Sequence, residues 1–186
     1  MPQPSIAAII CTHNRAAYLG AAIDSLLAQD CDPTEILVVD NASTDQTRSI
    51  VDDRLEASQR MHTPHTLTYV YEPVLGLSVA RNRGAQETTA EILAYLDDDA
   101  EASPQWLRVL QTAYAENPQL AIAGGKVDLR WPPGAQQPPW LSAELMQALG
   151  VMDLGDRPLP ITDPRHTPRG VNYSDRKSTR LNSSHR

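Results

Sequence analysis

The sequence predicts an α/β protein with a mostly parallel sheet flanked by helices, and three observations carry that reading. Five short apolar runs recur: Ile6–Cys11, Ile36–Val39, Leu67–Tyr71, Ile92–Leu96 and Leu120–Ala123, starting 30, 31, 25 and 28 residues apart. Helix-like patterns fill the gaps, and such alternation reads as βαβ units. The runs are apolar almost throughout, as strands are when helices cover both faces of a sheet.

The helices follow in order. Tyr18, Leu19, Ala22, Ile23, Leu26 and Leu27 mark one face after Asn14, a cap candidate. Ser43 with Gln46 three residues on fits a capping box ahead of Ile50 and Val51. A third helix is expected from Leu77 through Thr88, with Arg81, Asn82 and Arg83 in its early turns. Ser103-Pro104 reads as a cap followed by proline at the first helical position, leading into Trp106, Leu107, Leu110 and Tyr114. Asn117-Pro118 stops that helix.

After Val127 the character changes. Eight of the 15 prolines fall between Pro132 and Pro168, and periodicity is lost except for a short helix near Ser142–Leu149. Trp131, Trp140, Leu141 and Leu145 favour partial packing of this stretch, as expected of loops that cover a site. The last twelve residues, Asp175–Arg186, carry four basic residues and one acidic one without apolar periodicity. They resemble the translated start of a sequencing adapter. The expected organisation is therefore an α/β core over 1–127, a proline-rich segment of the same domain over 128–174, and a non-native tail over 175–186.

Composition narrows the classes. The 186 residues suit one domain, and 41% apolar with 21% charged residues is ordinary for a soluble globular chain. Phenylalanine is absent, so the core must be aliphatic with Trp and Tyr filling in. Lys and Arg number 16 against 23 Asp and Glu, a net charge of −7, which excludes a general nucleic-acid binder. Cys11 and Cys31 form neither a disulfide framework nor a CxxC pair, which points to a reducing, cytoplasmic setting. The longest apolar stretch, Ile6–Cys11, is far below the ~18 residues of a membrane span. Peripheral association at the inner face of a membrane is expected only through regions outside this sequence.

In an open α/β sheet ligands bind beyond the carboxyl ends of the strands. Three polar clusters follow strand-like runs: Thr12-His13-Asn14-Arg15, Asp40-Asn41-Ala42-Ser43 and Asp97-Asp98-Asp99. Adjacent carboxylates repel one another, so a partly buried triplet is costly unless a cation offsets it. Asp97 and Asp99, at alternate positions of an extended segment, can point the same way. Their hard oxygens suit Mg²⁺ or Mn²⁺ with phosphate oxygens as further ligands. Asp40 can accept from a ribose hydroxyl or a base N–H, or equally hold an Asx turn. Arg15 and Arg81 can pair with a diphosphate, whereas His13 alone marks nothing.

Together these strings resemble the family 2 glycosyltransferases, which have a GT-A (Rossmann-like) fold. The matching pieces are IAAIICTHNRAAYL, EILVVDNASTDQT, EPVLGLSVARNRGA and ILAYLDDDAEASPQWL, continuing through AGGKV, PPWL and TPRGVN. The resemblance implies a nucleotide-diphosphate sugar donor, Mn²⁺ or Mg²⁺, and inversion at the anomeric carbon. It places Thr12, Asn14 and Arg15 in the nucleotide pocket, Asp40 at the base or ribose, and Asp98 near the ribose. Asp97 or Asp99 would serve the metal, and Arg81-Asn82 match a recurrent family segment at the nucleotide. Cys11 stands where many relatives have proline, and Asn41-Ala42 replaces the commoner Asp-Gly.

The family's catalytic base lies downstream of the segment matched by Arg169–Asn172, so the chain is expected to be truncated and inactive in transfer. Asp153, Asp156 and Asp163 carry no mark of that role. The resemblance implies an acceptor that is a glycan, a lipid-linked molecule or a protein. A sugar nucleotidyltransferase would want a glycine-rich basic signature near the N-terminus, which Thr12–Arg15 lacks. A receiver-like signalling module would want paired acidic residues after the first strand, where Cys11–Asn14 has none.

Overall fold

The computed structural model describes residues 3–132, 134–155, 157–162, 167–168 and 170–177. Its strands are β1 (Ile6–Thr12), β2 (Glu35–Asp40), β3 (Thr66–Tyr71), β4 (Ile92–Asp97), β5 (Ile122–Gly124) and β6 (Asn172–Arg176). Its helices are α1 (Ala16–Leu27), α2 (Thr47–Met61), α3 (Leu77–Glu87), α4 (Trp106–Glu116) and α5 (Ala143–Ala148). They surround one six-stranded sheet of order β3-β2-β1-β4-β6-β5. The first four strands pair in parallel, and β6 runs antiparallel to both β4 and β5. The chain moves outward from β1 to β3, then returns to place β4 on the other side of β1. That reversal opens a crevice between the carboxyl ends of β1 and β4, where Cys11 stands beside Asp97.

The near-continuous apolar strands are explained by burial on both faces. Ala8 and Ile10 of β1 pack with Leu19, Ile23 and Leu26 of α1, Val51 of α2 and Leu107 and Tyr114 of α4. Ala7 and Ile9 face the opposite layer with Leu37, Val39, Leu93, Tyr95 and Ala80 of α3. A β-carbon at Gly84 would come within 2.7 Å of the Ile9 Cγ2, so α3 lies with its backbone almost on the sheet. Tyr95, Tyr114 and Trp106 supply the aromatic bulk of a core without phenylalanine.

Three helix starts differ from the sequence reading. Helix α2 begins at Thr47, not near Ser43, and Gln46 at its N-cap makes no side-chain capping bond. The Asp45 carboxylate accepts the Thr47 N–H and hydroxyl there instead. Asn14 does not cap α1; its φ of 54° turns the chain left-handed, and Asp45 accepts the Ala16 N–H. Helix α4 starts at Trp106, after a turn in which the Ser103 carbonyl accepts its N–H. The short helix expected near Ser142–Leu149 is α5, and Ser142 at its N-cap accepts the Leu145 N–H.

The sheet also has a member outside the apolar runs. Asp175 and Arg176, set aside with the tail, belong to β6, where they pair with Leu93 and Ile92. Pairing of this kind uses backbone groups, so no apolar period is needed. Fully buried Ser174 fits between β4 and β5 and donates its hydroxyl to the Ala123 carbonyl at 3.0 Å. Among the described residues no helix is long and apolar enough to cross a membrane.

Candidate functional site

A cleft of about 500 Å³ lies at the carboxyl edge of the parallel strands. One side carries Thr12, His13 and Arg15 after β1, the far side Leu75, Gly76 and Leu77 before and at the start of α3, and the floor Asp97, Asp98 and Asp99 after β4. The three clusters expected from the sequence do converge, although not every residue in them faces the cleft.

The carboxylate triplet is held by arginines from two elements. Arg15 pairs with Asp99 and lies 3.5 Å from Asp98, while Arg81 reaches from α3 to Asp97 at 3.7 Å. Rings beneath steady the cations: Arg15 sits 5.0 Å from the Tyr18 ring centroid and Arg81 5.6 Å from that of Tyr95. Burial raises the Asp98 carboxyl above its ordinary range, and the neighbouring charges of Asp99 and Asp97 add to that. The Thr12 hydroxyl and the Arg15 guanidinium offset part of the rise. Asp97 is likewise pushed up by burial and by Asp99, with Arg81 the main opposing influence. Three carboxylates there face two guanidinium groups.

Among the described residues no group of three His, Cys, Asp or Glu side chains is arranged to hold a metal ion. The donor chemistry nevertheless fits a hard divalent cation that arrives with its own phosphate ligands. Mg²⁺ and Mn²⁺ sites of that type use one or two carboxylates plus substrate phosphate and water, and Asp97 and Asp99 line the cleft as such a pair.

Asp40 behaves differently. It is 2% exposed, and both its oxygens are engaged: one accepts the Ser43 N–H at 2.9 Å, the other the Tyr69 hydroxyl at 2.7 Å. Of its two readings from sequence, the turn-holding one is realised in these contacts. Burial and the facing Asp40 carboxylate push the Tyr69 hydroxyl up to about 12. Asn14 is outside the cleft lining. Its side-chain Oδ1 accepts the Thr44 N–H at 2.7 Å and its Nδ2 donates to His13 Nε2 at 3.1 Å. Asn82 is exposed on α3 and outside the cleft lining.

The proline-rich segment returns to the same edge. Arg130 pairs with Glu101 just beyond the triplet, Val127 bridges Met152, and Asn172 ties Trp106 to the Lys126 carbonyl. Leu141 is buried, whereas Trp140 is 72% exposed. Asp153 is drawn below the usual carboxylate range by its bond to Lys126, which suits an ion pair better than a proton acceptor. Asp156, Asp163 and Arg169 lie outside the described residues, as does the tail beyond Lys177.

Sequence reasoning missed Asn41 and the apolar Leu75–Leu77 wall. The wall resembles an ordinary loop in sequence, and its partner is more than thirty positions away.

Comparison with known proteins agrees with this geometry. The family described as Glycosyl transferase family 2 matches residues 7–154. The glucosyl-dolichyl phosphate glucuronosyltransferase of Haloferax volcanii is 26% identical over 81% of this chain and 46% of its own length. The validoxylamine A glucosyltransferase of Streptomyces hygroscopicus subsp. jinggangensis is 35% identical over 60% of this chain and 26% of its own. The chain therefore spans half or less of the curated relatives it matches. Among solved structures, the mannosyltransferase PcManGT of Pyrobaculum calidifontis, in complex with GDP-Man and Mn²⁺, superposes with a TM-score of 0.57 at 28% identity. That match covers 67% of this chain and 36% of PcManGT. Residues 1–349 of S. aureus TarS, in complex with UDP, share the fold with a TM-score of 0.57 at 23% identity over 72% of this chain and 38% of TarS. With a family match over most of its length and a switch-point crevice lined by the expected carboxylates, the chain belongs to glycosyl transferase family 2.

Proposed function

We propose that this chain is the donor-binding part of a metal-dependent, inverting glycosyltransferase that uses a nucleotide-diphosphate sugar. The observation that carries the reading is the under-neutralised triplet Asp97-Asp98-Asp99, with burial-raised carboxyls, facing a cleft at the sheet's switch point. Strained carboxylates of this kind cluster at functional sites. The GDP-Man and Mn²⁺ bound by PcManGT support a sugar nucleotide and a divalent cation as ligands here.

In this reading Asp97 and Asp99 hold Mn²⁺ or Mg²⁺, which would neutralise charge on the departing diphosphate. Arg15 and Arg81 exchange their carboxylate partners for phosphate oxygens, with Arg15 offering a planar fork suited to them. Thr12 and Asp98 border the ribose. Asn14 and Asp40 shape the pocket from behind, because their own hydrogen bonds are spent on the loops. Asn82 contributes through α3 rather than by contact. Inversion requires an acceptor hydroxyl to displace the nucleoside diphosphate at the anomeric carbon while a base takes its proton. Among the described residues Asp128 and Asp153 both pair with Lys126, and we propose that this chain binds donor without transferring the sugar. General-base assistance is worth roughly 10²–10⁴-fold in rate.

The test is a transfer assay with a donor and acceptor panel, comparing this chain with one extended along its reading frame. Transfer by the longer chain alone supports the reading. Robust transfer by this chain overturns the proposed lack of a base. Diphosphate release from a nucleoside triphosphate and a sugar phosphate, by either chain, would favour nucleotidyl transfer instead.

A further inference from the structure

Asn41 is 4% exposed, and every polar group it owns is engaged. Its N–H donates to the Thr12 carbonyl at 2.8 Å, and its carbonyl accepts from His13 Nδ1 at 2.7 Å. Its carboxamide faces the loop between β3 and α3. Nδ2 donates to the Glu72 carbonyl at 3.2 Å and to the Val74 carbonyl at 2.7 Å, while Oδ1 accepts the Gly76 N–H at 2.7 Å. The orientation of the amide is unambiguous, because carbonyls only accept and a backbone N–H only donates. Gly76 adopts φ +150°, a conformation that L side chains rarely take, so its N–H reaches Asn41 only because the residue is glycine.

The loop so fastened is apolar and outward-facing. Val74 is 59%, Leu75 63% and Leu77 56% exposed, and Leu75, Gly76 and Leu77 line the cleft. Three bonds from one buried side chain to backbone 31 to 35 residues away are the means by which such a segment keeps a fixed position over open solvent.

We infer that Asn41 is a positioning residue: its carboxamide pins the Glu72–Gly76 loop so that Leu75 and Leu77 stand as a fixed apolar wall against a nucleotide in the cleft. The inference rests on the donor-site reading above. An aspartate at position 41 would keep the bond to the Gly76 N–H but lose both donors, and would set a negative charge against the Glu72 and Val74 carbonyls.

The test uses this chain with UDP or GDP plus Mn²⁺, well below its unfolding midpoint, and reads affinity by calorimetry beside amide exchange at Gly76. Asn41→Ala should weaken the nucleotide at least tenfold and speed exchange at Gly76 at least tenfold. Leu75→Ala, at an exposed position, should weaken it about threefold. The double variant should bind no more weakly than Asn41→Ala alone, because a displaced wall has nothing left to lose. Should Asn41→Ala fail to fold, Asn41→Asp, which loses both donors, should bind the nucleotide more weakly than the wild type and exchange faster at Gly76, and wild-type values for both would overturn the role. Unchanged affinity in Asn41→Ala or in Leu75→Ala, or losses that simply multiply, overturns the positioning role. If the wild-type chain binds neither nucleotide, the donor reading fails. Exchange then decides the pin alone, and a Gly76 rate unchanged by Asn41→Ala sinks it.

Discussion

The carboxyl ends of β2 and β4 each deliver an aspartate to the same edge of the sheet, and the fold treats the two oppositely. Asp40, at the end of β2, is buried with both oxygens satisfied by Ser43 and Tyr69. Asp98, just beyond β4, is half-buried among two further carboxylates, with an arginine 3.5 Å away as partial compensation. A satisfied carboxylate stabilises the structure that contains it. One whose charged form burial disfavours is retained at a cost that ligand binding can repay, which is why such groups gather at functional sites. The comparison separates framework from site among residues that look alike in sequence.

The largest expected effect is on the framework side. Asp40→Ala would leave the Ser43 N–H and the Tyr69 hydroxyl without their acceptor. A stranded group costs roughly 1–3 kcal/mol when buried, and both of these are only partly buried, so the variant should lose about 2–4 kcal/mol in denaturant unfolding. A loss within experimental error would break the contrast between the two aspartates.

Asp98→Asn should behave in the opposite way. Removing a charge that burial disfavours should leave the ligand-free chain at least as stable as the wild type, while nucleotide affinity falls by about 1–3 kcal/mol. The pH dependence follows from the direction of the shift. A carboxyl whose folded pKa lies above its unfolded value favours folding while protonated and opposes it as the pH rises through the folded pKa. The stability advantage of Asp98→Asn seen at pH 7 should therefore shrink as the pH is lowered through the raised pKa. A gap in melting temperature that widens on acidification would show that Asp98 is stabilised as a carboxylate.

The smallest effect sharpens the framework side. Ala42 follows Asn41 with φ 59°, a left-handed conformation in which a β-carbon is penalised. Ala42→Gly should stabilise the chain by up to about 1 kcal/mol, offset in part by glycine's freedom in the unfolded state. No gain, or a loss, in denaturant midpoint would mean that the turn is not strained.

What was legible in the sequence is what depends on local period. The runs from Ile6, Ile36, Leu67 and Ile92 gave the four parallel strands, and their ends gave the polar edge and the cleft's carboxylates. The helix starts were less legible, because the groups that satisfy them come from elsewhere. Asp45 serves the N–H groups of Ala16 and Thr47 at once, so the Ser43–Gln46 box was not needed. Strand β6 has no apolar period, and its buried Ser174 and Asp175 are held by hydrogen bonds to the Ala123 carbonyl and from the Tyr173 hydroxyl. Asn41 was invisible as a pin because its partners lie beyond β3. Thr12, Arg15, Arg81 and the triplet are brought together as expected, whereas Asn14 and Asp40 turn their polar atoms toward the loops.

The central claim is that the triplet after β4 binds a divalent cation together with a nucleoside diphosphate. Calorimetric titration of UDP and of GDP into this chain, with Mn²⁺ and with excess EDTA, tests it most directly when repeated on Asp99→Ala. At least one nucleotide should bind in Mn²⁺, lose most of its affinity in EDTA, and bind Asp99→Ala weakly in both. Equal affinity in Mn²⁺ and EDTA, or an Asp99→Ala variant with wild-type affinity and wild-type EDTA sensitivity, would contradict the assignment.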